Sequence, residues 1–323
     1  MMAPAKKADV VTIGEVMVRL APDPGVRLEE ARSFNVQVGG AECNVAVGLA
    51  ALGRKSAWIS KLADNELGRL VLRRVRACGV DVSRVVWSKG ARAGTYFVEF
   101  GRKPRPTKVI YDRLNSAASK LAPEEIDWEF VTGFRILHLT GITPALSPSC
   151  TRVASEAISR ARDAGVGISF DVNYRSKLWT GERAFRCVNQ LVKGIDVLTV
   201  TQGDAWSVFG LKGSPDEVVG TLHDRCGSGA TVLTLGEKGA VALSEGTLYR
   251  AKGHEIEEVD RIGAGDAFDA GFLHGYLDGD IQKGLELGSA MAAVKHTMEG
   301  DFPVVSEQEI LEIAGRRQTS IRR

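Results

Sequence analysis

The 323-residue chain predicts an α/β fold: a doubly wound, mostly parallel sheet flanked by helices, with a small β-sheet lid. Three observations predict it. Short, nearly continuous apolar runs alternate with longer segments whose apolar residues recur at three and four, as strands buried on both faces between covering helices require. Two stretches break that alternation and have no helix after them. A composition of 44% hydrophobic and 25% charged residues supports one large core at this length.

Taken in order, "DVVTIG" at 9–14 is the first strand, rich in β-branched residues and closed by a glycine. Residues 15–38, with "APDPG" at a turn, are the first stretch without a helix. Apolar spacing then predicts helices at 42–53 and 64–78. Residues 94–113, "GTYFVEFGRKPRPTKVIYDR", alternate on both sides of a basic, proline-containing loop, which predicts a β-hairpin with one polar face. Strands at 135–141 ("RILHLTG"), 165–172 ("GVGISFDV"), 195–200 ("IDVLTV") and 230–235 ("ATVLTL") enclose helices at 149–164 and 182–193, and a further helix covers 266–278. The expected core is therefore 8–14, 39–90 and 118–315, with a lid from 15–38 and 91–117 and a basic tail at 316–323. A small sheet with an open face and edge must cover a ligand, a partner subunit or both.

Lys plus Arg number 42 against 40 Asp plus Glu, a net charge of +2 that provides no general field for nucleic acid; the terminal "RRQTSIRR" is read as a solvated end. No run approaches the ~18 apolar residues of a membrane span, and the N-terminus lacks a signal-peptide pattern, so a cytoplasmic protein is expected. Five cysteines stand singly, with no CxxC pair, and read as small buried hydrophobes. There is no internal repeat.

In "RIGAGDAFDAGF" (261–272), Gly263 and Gly265 allow close backbone approach, and the helix that follows aims free N–H groups and its positive end at whatever lies in front. That is an anion site. Asp266 reads either as the helix cap or as a reactive carboxylate, and the motif alone leaves both open. GxxxxGK[ST] is absent and "GAGDAF" is no GxGxxG fingerprint in a first βαβ unit, which disfavours a P-loop enzyme and a NAD dehydrogenase.

Together, "VDRIGAGDAFDAGF" (259–272) and "VGGAECNVAVGLAALG" (38–53) resemble the two hallmark stretches of the ribokinase-like, or PfkB, family of carbohydrate kinases. The resemblance implies an ATP-dependent kinase in which Asp266 accepts the proton of the attacking sugar hydroxyl and Gly263, Ala264 and Gly265 form an anion hole. It implies nucleotide contacts from Thr234, Gly236, Lys238 and Gly239 in "TLGEKGA", with Asn173 nearby. It implies Mg2+, with Asp204 standing where many relatives carry the glutamate of an NxxE motif. The helix N-terminus is expected to lower the pKa of Asp266, which a late proton transfer tolerates.

"FDVNYRSKLW" (170–179), "YDRLNSAASKL" (111–121) and "GEVMVRLAP" (14–22) are similar to the branch of the family that phosphorylates 2-keto-3-deoxygluconate. A sugar acid calls for an Arg fork, which neutral sugars do not. By resemblance Arg175 and Arg113 hold the carboxylate, and Gly39, Gly40, Asn44, Tyr96, Tyr111 and Asp301 complete the pocket. Kinases of fructose or 5-keto-2-deoxygluconate, and an idle sugar-binding homologue, remain alternatives. A homodimer or larger assembly through the lid is expected.

Overall fold

The computed structural model describes residues 8–101 and 104–315; the basic tail and the N-terminal seven residues lie outside that range. Along the chain come β1 (Ala8–Ile13), β2 (Met17–Ala21), β3 (Asn35–Gly39), α1 (Ala41–Ala51), β4 (Ser56–Ile59), β5 (Lys61–Ala63), α2 (Glu66–Ala77), β6 (Val86–Ser88), β7 (Thr95–Glu99) and β8 (Lys108–Asp112). Then follow α3 (Trp128–Thr132), β9 (Phe134–Thr140), α4 (Ile142–Leu146), α5 (Pro148–Asp163), β10 (Gly167–Asp171), α6 (Gly181–Leu191), β11 (Val197–Thr201), α7 (Gln202–Phe209), α8 (Pro215–Cys226) and β12 (Ala230–Thr234). The hairpin β13 (Ala240–Ser244) and β14 (Thr247–Ala251) precedes α9 (Ala264–Leu277), α10 (Ile281–His296) and α11 (Glu307–Ile313).

Strands that read as unbroken apolar runs take the middle of the main sheet, whose order is β14-β13-β12-β11-β10-β9-β1-β4. From β12 through to β4 the neighbours are parallel, and β13 and β14 close one end antiparallel. Both faces are covered, one by α5, α6 and α8 and the other by α1, α9 and α10, so the core lies in two apolar layers. The β13–β14 turn has positive φ at both Glu245 and Gly246, the geometry of a tight hairpin loop. That hairpin and the three-residue pair β5–β6 were not anticipated, the latter because three residues carry no readable period.

The α9 and α10 backbones pass so closely that a Cβ on Gly275 would lie 2.3 Å from the Gly284 nitrogen. Glycine at this crossing seats α9 rigidly against its neighbour, with Phe268 and Phe272 buried beneath.

The two stretches without helices form a second sheet, ordered β3-β2-β7-β8. Its strands occupy 17–21, 35–39, 95–99 and 108–112, the second running one residue past the expected lid range of 15–38. Tyr96 and Tyr111 are directly opposed across the β7–β8 pair. One face looks toward the core; on the other, Val36 and Ile110 are exposed and Phe34 packs edge-on against Phe97.

Arg19 of β2 anchors this lid. Its guanidinium is 1% exposed and donates to Asp260 at 2.6 Å and Asp301 at 2.7 Å, both carboxylates belonging to core loops. Removing one partner of a buried ion pair strands the charge that is left. Arg19→Met should therefore cost about 3–5 kcal/mol in denaturant unfolding; a loss under about 1 kcal/mol would place the anchor elsewhere.

Candidate active site

The turn into α9 is built on Gly263, whose φ of 84° is open to glycine and strained for other residues. A Cβ there would also lie 2.3 Å from the Asp301 carbonyl oxygen. Gly263 is the helix N-cap, so α9 begins two residues earlier than the apolar spacing suggested. Asp266 is consequently not the cap; it sits inside the first turn and is 7% exposed. The Ala264 amide is tied to the Arg261 carbonyl at 3.3 Å. The Gly265 and Asp266 amides make no intrahelical bond, as at any helix start, and the positive end of the helix lies with them.

Asn44 of α1 reaches across 222 residues to donate to the Asp266 carboxylate at 2.6 Å. Its own carbonyl oxygen accepts the Gly40 amide at 3.2 Å, which fixes which end of the side chain faces Asp266. Gly40 and Asn44 of the first hallmark stretch thus serve the carboxylate of the second. Burial raises the Asp266 pKa to about 6, against the lowering pull of Asn44 and Arg175 and with some help from Asp301. This overturns the expectation of a lowered pKa: desolvation outweighs the helix end.

Asp266 and Gly263 form one wall of a cavity of about 70 Å³ under the lid. Gly39, Gly40, Asn44, Tyr96, Tyr111, Arg113, Arg175 and Asp301 line it too, so the structure brings all eight predicted sugar-site residues together. The two tyrosine rings stack at 5.8 Å, and the Tyr96 hydroxyl donates to Asp301 at 2.6 Å. The two arginines differ. Arg113 is paired with buried Glu15, its Nε lying 2.7 Å from the carboxylate, whereas Arg175 is exposed and has no ion pair among the described residues. Glu15 was missed from sequence; it lies 98 residues from Arg113, and no local signal joins them.

On the other side of the same turn, Ala264 and Gly265 line a groove of about 230 Å³ with Thr234, Gly236 and Gly239. Its remaining wall includes Ile256, Phe268, Ser289, Ala292 and His296. Those from α10 were missed, although one helical face carries 289, 292, 293 and 296. Lys238 does not line the groove. Neither does Asn173, whose φ of 39° ends β10 and whose amide side chain acts on Asp266.

Asp204 lies in the first turn of α7, accepts the Tyr174 amide at 3.3 Å, and borders neither cavity. Among the described residues no three His, Cys, Asp or Glu side chains gather as a metal cage. Magnesium commonly arrives with phosphates, keeps several waters and takes only one or two protein carboxylates. Deeper in, Glu42 accepts from Thr140 and Thr143 at 2.8 and 2.6 Å, and burial lifts its pKa to about 7. Burial raises the pKa of both Asp171 and Asp269, with Asp269 and Asp204 adding repulsion at Asp171 and Asp266 adding it at both, which limits the negative charge gathered behind Asp266.

Known proteins are similar to this chain over nearly its whole length. A 2-dehydro-3-deoxygalactonokinase of Haloferax volcanii is 40% identical over 94% of this chain and 95% of its own. A 5-dehydro-2-deoxygluconokinase of Shouchella clausii is 31% identical over 95% of this chain and 96% of its own. The crystal structure of 2-dehydro-3-deoxygluconokinase from Thermotoga maritima superposes with a TM-score of 0.91 at 35% identity, covering 95% of this chain and 98% of that one. Residues 7–305 match the pfkB family of carbohydrate kinases, and the chain belongs to that family.

Proposed function

We propose that the protein transfers the γ-phosphoryl group of ATP to the 6-hydroxyl of 2-keto-3-deoxygluconate, giving the 6-phosphate, ADP and a proton. One observation carries the reading: residues 263–266 are a partition shared by two cavities, with Gly263 and Asp266 on the lidded side and Ala264 and Gly265 on the groove side. A phosphoryl group passing between ligands in the two cavities crosses the free amides at the start of α9. Asp266 stands on the acceptor's side and takes the hydroxyl proton as the O–P bond forms and the bond to ADP breaks. Magnesium bound with ATP supplies charge neutralisation at the phosphates. Asp204 is the proposed protein carboxylate toward it, acting through water.

The acid preference follows from Arg175, a cation lining the pocket with no ion pair among the described residues, while Glu15 already neutralises Arg113. The three relatives named above act, by their names, on keto-deoxy sugar acids. The C4 epimer, 2-keto-3-deoxygalactonate, is the second reading, favoured by the 40% identical relative. Comparing kcat/KM for the two epimers, the 5-keto-2-deoxy acid and fructose decides between them. The exposed apolar residues Phe34, Val36 and Ile110 on the outer lid face support a homodimer formed lid to lid. Light scattering should give twice the chain mass; a monomer would remove that part of the proposal.

Asp266→Asn should keep the fold and lower kcat at least about 100-fold, the lower range for loss of a general base. In the wild type, Asp266 is protonated below its pKa of about 6 and cannot accept a proton. Hence kcat should fall as pH drops through about 6 and be level above it; a profile flat down to pH ~4, near the usual carboxylate value, would exclude Asp266 as base. Arg175→Ala removes a charged hydrogen-bond donor worth about 1.5–3 kcal/mol, so KM for the sugar acid should rise on the order of 10- to 150-fold with KM for ATP nearly unchanged. Equal use of a neutral ketose by the wild type would contradict the carboxylate assignment.

A further inference from the structure

Among the described residues Lys295 is the one buried lysine, at 0% exposure, on the last turn of α10. Nothing in the proposed chemistry uses it. A methionine would fill the same space without the cost of desolvating an ammonium, so the charge itself needs a reason. Its Nζ donates to the Asp260 carbonyl at 3.2 Å and the Met298 carbonyl at 3.1 Å. Asp260 opens the loop that ends in the Gly263 turn, and Met298 opens the segment that carries Asp301.

The Asp260 carboxylate joins the same two segments, accepting the Ile262 and Gly300 amides, each at 3.0 Å. Two buried carboxylates, Asp260 and Asp301, therefore face one buried guanidinium, that of Arg19. Lys295 supplies the balancing charge. Burial, the largest effect, lowers the Lys295 pKa and Arg19 lowers it further, while Asp260, Asp301 and Asp266 pull the other way, toward the charged form.

We infer that Lys295 is a positioning residue for phosphoryl transfer: a tethered internal cation that holds the anion-binding turn and the Asp301 segment in register with Asp266. This rests on the proposed function, in which the turn meets the transferred phosphoryl group and Asp301 meets the sugar. A purely structural lysine would alter stability and leave the turnover of the folded enzyme alone. A positioning cation alters kcat, and another cation can replace it.

Lys295→Met should lower kcat at least about tenfold, as small misplacements of reacting groups do, with KM for ATP nearly constant and circular dichroism unchanged. Lys295→Ala leaves room at the site. Ammonium chloride at about 0.1 M should restore part of its kcat, and tetramethylammonium chloride at equal ionic strength should restore none, while neither salt changes wild-type turnover. A folded Lys295→Met with wild-type kcat, or a Lys295→Ala on which the two salts act alike, overturns the inference. If Lys295→Met does not fold, the alanine variant carries the test: on removal of ammonium its activity should fall while its circular dichroism holds, and parallel loss of both overturns the inference. A wild type idle on every sugar acid overturns the proposed function instead.

Discussion

The site depends on keeping a carboxylate buried at the start of a buried helix. The positive end of α9 favours the ionised form of Asp266, while the surrounding protein, which leaves it 7% exposed, favours the neutral one. Burial wins by enough to bring the pKa to about 6. At neutral pH the group is then mostly ionised and still a better proton acceptor than a solvent-exposed aspartate. Asn44 keeps it aimed, and the raised pKa values of Asp171 and Asp269 keep further negative charge from collecting behind it.

Several features of the fold serve this balance. Glycine at the α9–α10 crossing lets the two backbones touch, so the amides at the start of α9 hold their place before any ligand arrives. The lid is clamped at β2 by Arg19, and its far edge is held by lighter ties: Arg113 to Glu15, and Lys177 donating to the Val109 carbonyl at 2.7 Å while its ammonium lies over the Tyr111 ring. The buried Arg19 tie fixes where the lid sits, and the exposed Lys177 tie lets its outer hairpin respond to a ligand.

Much of this was legible in the sequence, for identifiable reasons. Strands buried on both faces must be almost wholly apolar, so β9 to β12 stood out, and the lid stood out as the place where no helix follows a strand. The two glycine-bearing stretches were recognisable as a pair, and the sugar-site residues drawn from them and from the YDR and FDVNYR segments meet with Asp266 in one cavity. Properties decided by distant neighbours were not legible. The pKa of Asp266 depends on how much protein surrounds it, the pairing of Arg113 on a glutamate 98 positions away, and the role of Arg19 on two aspartates more than 240 positions away. Cys78 and Cys187 are only partly buried, unlike Cys43, Cys150 and Cys226. The groove residues of α10 were hidden because small side chains at helical spacing read as packing.

The central claim is that the free amides at the start of α9 meet the transferred phosphoryl group while Asp266 meets the hydroxyl that receives it. A crystal structure with a non-hydrolysable ATP analogue, magnesium and 2-keto-3-deoxygluconate measures this directly. The account predicts the sugar's 6-hydroxyl oxygen within about 3 Å of the Asp266 carboxylate, with the terminal phosphate on the Gly265 and Asp266 amides. A terminal phosphate bound elsewhere, or a different hydroxyl facing Asp266, would contradict it.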